Sequence, residues 1–462
     1  MGALGILATN VGLGRRRGNL GAATSESGAS LVERRRRVDL STTPARLRLL
    51  LFVLVLLSLA WGGFAAFTAS EYSSAASGVV NVRGPLSVTA EQIYARLSDA
   101  DDAATTAFLA GGLEPPAVRQ RYLADINAAS TAIESATAQS GSGTGPTSAD
   151  LRTLAGELPV YTGEIETARA DNRLALPLGA AYLREASGLM RGTLLPAAQD
   201  LYTAENTSLT ATSDRATSVP LIGVTIAVGV AIGCVLCWAS LWLARRTNRA
   251  LNAGLVAAGL VGAVSLGWLA AGYAVAHDDL GTAQGQGSAP VAALARVDIA
   301  ALQAHADESL TLIDDSGDDS YQLDYLREQK ALGPGPGTLL TAAATAAEDS
   351  PAAPEVTRVI SDAQLWYKYH LAVRTLDDTG TSGHDAAVQS VLSAVASGSG
   401  GQFGVLTTDL AAATANDQAA FDVHARAAAS AFAPLEGEVI VTALIMAAGC
   451  AWGLSRRLAE YR

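Results

Sequence analysis

The chain has 462 residues, 49% of them hydrophobic and only 16% charged, and its 44 acidic side chains outweigh 32 basic ones to a net charge of −12. This composition excludes a disordered chain and a nucleic-acid-binding surface, and a mean hydropathy of +0.25 is high for a purely soluble protein. Three cysteines cannot staple a disulfide-rich scaffold.

Residues 1–48 form a basic arm with nine arginines, read as disordered and cytoplasmic. Its Arg34, Arg35, Arg36 and Arg37 are candidates for contact with anionic lipid or a cytosolic partner, and Thr42 and Thr43 could carry a phosphate beside them. A bilayer span needs roughly 20 predominantly apolar residues. Residues 49–68 meet that need and follow too long an arm to be a signal peptide, so they are read as an uncleaved anchor. An outer segment, 69–218, is rich in Ala, Leu, Glu, Gln and Arg and lacks strand alternation, which predicts a four-helix bundle. Its breakers Gly111-Gly112, Pro115-Pro116, the run 141–146 and Pro177 place helices near 86–110, 116–139, 149–172 and 178–218. The second span is 219–243, the turn 244–250 carries Arg245, Arg246 and Arg249, and the third span is 251–276. A second outer segment, 277–438, reads as another helical bundle. The fourth span, 439–455, is the weakest, diluted by Ala, Gly and Cys, and the tail 456–462 is basic again.

The arginine clusters all fall on one side if four spans cross the membrane. Both termini and the 244–250 turn are then cytoplasmic in a multi-pass plasma-membrane protein. Partitioned this way the net charge is +11 inside and −23 outside, with none in the spans. Uncharged spans argue against an ion pump or proton relay.

The halves match each other at an offset near 206, which predicts a tandem duplication in parallel orientation. Ser58-Leu59-Ala60-Trp61 pairs with Ser265-Leu266-Gly267-Trp268, and Asp101-Asp102 with Asp307-Glu308. The outer helices next to the spans read as continuous with them, with Gly84-Pro85, Pro290 and Pro434 as kinks or breaks.

Chemistry-bearing candidates are few. Trp366, Tyr367, Tyr369, His370 and Arg374 combine rings with cations at helical spacing, as ligand- and partner-binding surfaces do, and Tyr161 with Arg169 is a weaker counterpart in the first half. Core packing by the rings is the alternative. Small residues recur every four positions at Gly229 and Gly233 and at Gly259, Ala263, Gly267 and Ala271, a pattern for close helix packing within the chain or at a homodimer face. Cys234-x-x-Cys237 lies in a span without a second ligand pair and reads as membrane-helix filler. The acidic run 314–319 lacks EF-hand spacing. Neither a P-loop, G-x-S-x-G, H-E-x-x-H nor a kinase motif set occurs, so no enzyme, cofactor or metal is expected.

An outer helical bundle set between two spans resembles bacterial chemoreceptor and sensor-kinase input modules. The tandem four-span layout, together with 30 Arg against 2 Lys and high Ala, resembles the actinobacterial GlnX-like membrane proteins. That resemblance implies a link between an amino-acid-binding lipoprotein outside and a cytosolic Ser/Thr protein kinase inside, and it names no site residues. The expected function is therefore a transmembrane signal relay. The competing expectation is an envelope scaffold with no ligand response.

Overall fold

The computed structural model describes residues 43–140, 146–247, 252–314 and 319–459. The described residues are almost entirely helical, with no strand among them, and four helices are long and apolar enough to cross a membrane. The first half runs α1 (Thr43–Gly78), α2 (Gly84–Leu109), α3 (Pro116–Ser140), α4 (Pro146–Arg173), α5 (Leu178–Leu189), α6 (Leu195–Thr217) and α7 (Val219–Thr247). The second runs α8 (Ala253–Ala283), α9 (Ala289–Ile313), α10 (Ser320–Leu332), α11 (Leu339–Ala346), α12 (Ala353–Asp377), α13 (Thr381–Leu392), α14 (Ser399–Phe432) and α15 (Leu435–Ala459).

These helices join end to end into four rods, Ala45–Leu109, Leu178–Arg245, Ala253–Ile313 and Ser399–Ala459, each of 61 to 68 residues. At 1.5 Å per residue each rod is about 90–100 Å long, roughly three times a bilayer's hydrocarbon thickness. Proline shapes three of the joints. Pro85, Pro196 and Pro290 each lie two residues past the end of a single π-turn, at Val79–Arg83, Met190–Leu194 and Gln284–Ser288. A proline ring clashes with the carbonyl four residues back and supplies no N–H. The widened turn relieves that clash: Gly84, Leu195 and Ala289 each donate instead to the carbonyl five residues back. The rods therefore continue through Gly84-Pro85 and Pro290 rather than ending there. The fourth rod has a turn at Ala433-Pro434.

The second rod has its joint at Ser218, whose backbone is extended. Tyr72 of α1 clamps it: its hydroxyl donates to the Ser218 carbonyl and accepts from the Ile222 N–H at 3.3 Å. Tyr273 of α8 adds a bond to the Thr217 carbonyl at 2.7 Å. Tyr72 also packs edge-on to Tyr273 and stacks on Phe432 of α14. Rings from the first, third and fourth rods thus gather at the joint of the second.

The apolar spans share one core. α15 packs between α1 and α8, and α7 closes the far side against both. That position explains the weak hydropathy of the fourth span. A larger share of its apolar window is buried, 39% against 28% in the first, and two neighbours require small contact residues. A Cβ on Gly62 would lie 2.2 Å from that of Ala443, and one on Gly254 2.5 Å from the Gly449 carbonyl oxygen. Of the stripes proposed from sequence, Gly229 packs closely against Leu266 and Trp61, whereas Gly233 meets nothing. Gly259 and Gly267 also meet nothing, and Ala263 and Ala271 are exposed, so this stripe faces away from the chain's own helices. Packing between α8 and α15 uses the opposite face, through Gly254, Ala258 and Gly262. Cys234 and Cys237 face outward and Cys450 is buried.

Gly254→Ala is therefore expected to destabilise the full chain in detergent by about 1–3 kcal/mol, because backbone atoms must move. Gly259→Ala should leave the melting midpoint unchanged or slightly raised. Thermal unfolding followed by circular dichroism compares the two.

Candidate functional site

Beyond the spans, each half has its own apolar core. The two meet along α2 and α9, the helices that continue the first and third spans outward. Both helices bury an acidic pair at this seam. Asp101, Asp102, Asp307 and Glu308 are all under 4% exposed, so each must find partners.

Asp102 pairs with Nδ1 of His305 across the seam and accepts from Arg121 of α3 at 2.8 Å. Asp101 accepts from Ser187 at 2.9 Å and from the Tyr161 hydroxyl at 3.3 Å. Asp307 pairs with Arg191, which the second π-turn projects from the first half, while Asp101 lies 3.9 Å from the same guanidinium. Glu308 accepts from Ser399 at 2.8 Å and pairs with Nδ1 of His370 at 2.9 Å. The His305 ring stacks on Phe403 at 4.0 Å and that of His370 on Tyr325 at 3.5 Å. Asp102–His305 and Arg191–Asp307 therefore tie the halves together, and the remaining contacts anchor each acid in its own half.

Burial alone would raise Asp102, but His305 and Arg121 together hold its carboxyl below the usual range. Burial would lower His305, and Asp102 reverses that and raises it. Asp101 is raised by burial against Arg191, Ser187 and Tyr161. Burial pushes Asp307 up to about 7 despite Arg191. Burial, with Asp99 and Glu91 nearby, lifts Asp298 of α9 to about 8.

Nearer the membrane the seam opens into a cleft of about 470 Å³ between α2, α6, α9 and α10. Glu91 and Tyr94 reach it from α2, Gln199, Tyr202 and Asn206 from α6, Arg296 and Gln303 from α9, and Glu328 from α10. Ala292, Ala295, Ile299 and Leu339 supply an apolar wall. Burial raises Glu91 to about 7, with Arg96 opposing and Asp99 adding to the shift.

The sequence candidates sit apart from this cleft. Trp366 is fully buried in the second half and donates to Ser399 at 3.2 Å. His370 is fully buried and joins the seam through Glu308, and buried Tyr161 joins it through Asp101. Tyr367 and Tyr369 are half-buried, Arg374 pairs with Asp377 at 2.8 Å, and Arg169 pairs with Glu114 and Glu166. Lys368 is exposed. On the other face Arg245 is exposed at the end of α7, and Arg34, Arg35, Arg36, Arg37 and the side chain of Arg246 lie outside the described residues, as do 315–318 of the acidic turn. No group of three metal-type ligands occurs among the described residues. Sequence reasoning missed Arg191, His305 and the cleft. The available signal was the internal match of the two acidic pairs, each set in an otherwise alanine- and leucine-rich stretch.

Residues 75–214 match the family model described as the actinobacterial sensor domain. That stretch spans the outer segment of the first half, from the end of α1 to the end of α6, and contributes the α2 and α6 walls of the cleft. No curated protein and no solved structure gives a match to the chain. The match supports a sensing role rather than a catalytic one, in a protein whose four apolar helices mark it as membrane-embedded.

His305→Ala leaves Asp102 buried with Arg121 alone, and breaking such a pair costs about 3–5 kcal/mol. Removing exposed Arg327, which pairs only within its own helix, should barely change stability. Chemical denaturation of the full chain in detergent separates the two outcomes.

A carboxyl raised on folding stabilises the fold below its unfolded pKa, and that stability is lost as pH climbs through the folded value. Asp298, Asp307 and Glu91 all act this way, and so does raised His305. Asp102 acts oppositely, but only below its ordinary range near pH 4. The melting temperature is therefore expected to fall from about pH 5 to about pH 8, with a shallower slope in Asp298→Asn.

Proposed function

We propose that the chain is a plasma-membrane sensor that relays the state of an extracytoplasmic solute, or of a solute-binding lipoprotein, to a cytosolic partner such as a Ser/Thr protein kinase. Both termini and the short turn after α7 face the cytoplasm, and the two halves descend from a duplicated unit. The reading is carried by one observation: α2, α6 and α9, which form the seam and most of the cleft wall, belong to rods that are long and apolar enough to cross the membrane. A change in spacing at α2, α6 and α9 has no flexible linker in which to dissipate, because the π-turns and the clamped Ser218 joint keep the rods connected. The sensor-domain match over residues 75–214 supports the same role. Duplication is supported by π-turns at Val79–Arg83 and Gln284–Ser288, about 205 positions apart and each followed by proline two residues on.

The exposed arginine at the end of α7, with its neighbours in the turn, offers a cationic contact for the partner. Affinity capture of the tagged chain from a detergent extract should recover a kinase or another signalling protein. Recovery should fall several-fold when Arg245 and Arg246 are both changed to Gln. Recovery of cell-wall or secretion proteins alone would overturn the relay.

A further inference from the structure

We infer that the cleft between α2, α6, α9 and α10 binds a small zwitterionic amine directly, its ammonium on Glu91 and its anionic end on Arg296. The inference deepens the sensor reading and rests on it for its consequence, the movement of the rods. The site itself stands on four observations.

First, the space is the right size: about 470 Å³ lies within the usual range of small-molecule sites. Second, both charged ends are available. Neither Glu91 nor Arg296 belongs to an ion pair among the described residues, and the Arg296 guanidinium bonds only its own helix, at the Ala292 carbonyl. They line the same cleft and still do not pair with each other, so their charges are held apart. A molecule carrying both complementary charges spans that gap, whereas neither a simple cation nor a simple anion satisfies both. Third, Tyr202 lines the cleft within the field of both groups: burial and then Glu91 raise its hydroxyl, against Arg296, to about 12. It provides a neutral donor on the cleft wall. Fourth, the remaining wall sets selectivity. Glu328 adds a second acid, which makes the lining net negative and disfavours a ligand of net negative charge. Gln199, Asn206 and Gln303 provide uncharged polar contacts, and Ile299 and Leu339 take an aliphatic stem.

The groups that face Glu91 are Arg96 and Asp99 from its own helix, Tyr202 from α6, Arg296 and Asp298 from α9, and Glu328 from α10. Its carboxyl is raised to about 7, so it must ionise to receive an ammonium. Binding then releases a proton and strengthens as pH rises through that value.

Isothermal titration calorimetry on the full chain in detergent tests the site with five probes: L-alanine, L-leucine, L-glutamine, L-glutamate and putrescine. At least one of the three neutral amino acids should bind, with glutamate and putrescine ten-fold weaker or undetectable. Glu91→Gln and Arg296→Gln should each weaken that binding at least ten-fold while the melting curve retains its cooperativity. Repeating the titration in buffers of different ionisation enthalpy should show proton release in the native chain and none in Glu91→Gln. Equal binding of glutamate, binding of putrescine alone, or no binding by any probe would each overturn the assignment. Absence of binding with a signalling protein still captured would leave the relay standing. Binding that never alters partner recovery would instead sink the relay and leave the cleft.

Discussion

Everything outside the membrane depends on four carboxylic acids buried where α2 crosses α9. An acid in an apolar interface is costly unless each oxygen finds a donor, and here the donors come from both halves. His305 reaches Asp102 from the second half and Arg191 reaches Asp307 from the first. In each half one acid, Asp102 or Asp307, takes a partner from the other half. The interface is thereby fixed in register, a role for which buried polar pairs are better suited than apolar contacts that tolerate sliding. The second π-turn has a direct part in this, since its extra residue sets the direction in which Arg191 projects.

At the membrane boundary a different constraint operates. Lipid offers no hydrogen bonds, so each break in a helix must be satisfied by protein. Ser218 has an extended backbone between α6 and α7, and Tyr72 of α1 bonds its carbonyl while Tyr273 of α8 bonds that of Thr217. Deeper in, Thr68 meets Thr225 and Ser265 meets Thr442, each at 2.9 Å, while Asn252 caps α8 and bonds the Gly453 carbonyl. These polar links join different rods, so the spans are coupled sideways as well as along their lengths.

The all-helical class and the four spans were legible because each rests on local properties: helix-forming composition and runs of apolar residues. Helix stops at Gly111-Gly112 were legible for the same reason, since both glycines adopt positive φ. The weakness of the fourth span was visible, but its cause was not, because the central position of α15 is a tertiary fact. The outward direction of Gly259, Ala263, Gly267 and Ala271 was equally hidden, since a four-residue stripe does not say which neighbour it meets. Trp366 and His370 drew attention by composition, and His370 is buried against an acid, Glu308, that lies 62 positions away in the chain. The cleft draws on both halves and on five separate helices, so no local pattern announces it. Asp101-Asp102 and Asp307-Glu308 came nearest, as a match between halves whose meaning was partner sharing.

The strength of the seam limits how a signal could pass. Moving a two-state equilibrium from 1:99 to 99:1 takes about 5.5 kcal/mol of differential binding. Breaking one buried ion pair costs about 3–5 kcal/mol, so rupturing both Asp102–His305 and Arg191–Asp307 would exceed what a small ligand supplies. On the proposed reading the halves therefore do not separate. They pivot about a seam that stays closed, with the cleft between that pivot and the membrane. A ligand drawing Glu91 of α2 toward Arg296 of α9 acts a short distance from the fulcrum, and the spans lie on the far end of the same levers. About 23 residues of helix separate Glu91 from residue 68 at the end of the first span, roughly 35 Å at 1.5 Å per residue. A sub-ångström closure at the cleft is then amplified into a larger tilt at the membrane, and the tyrosine clamp at Ser218 carries it to α7 and the arginines beyond.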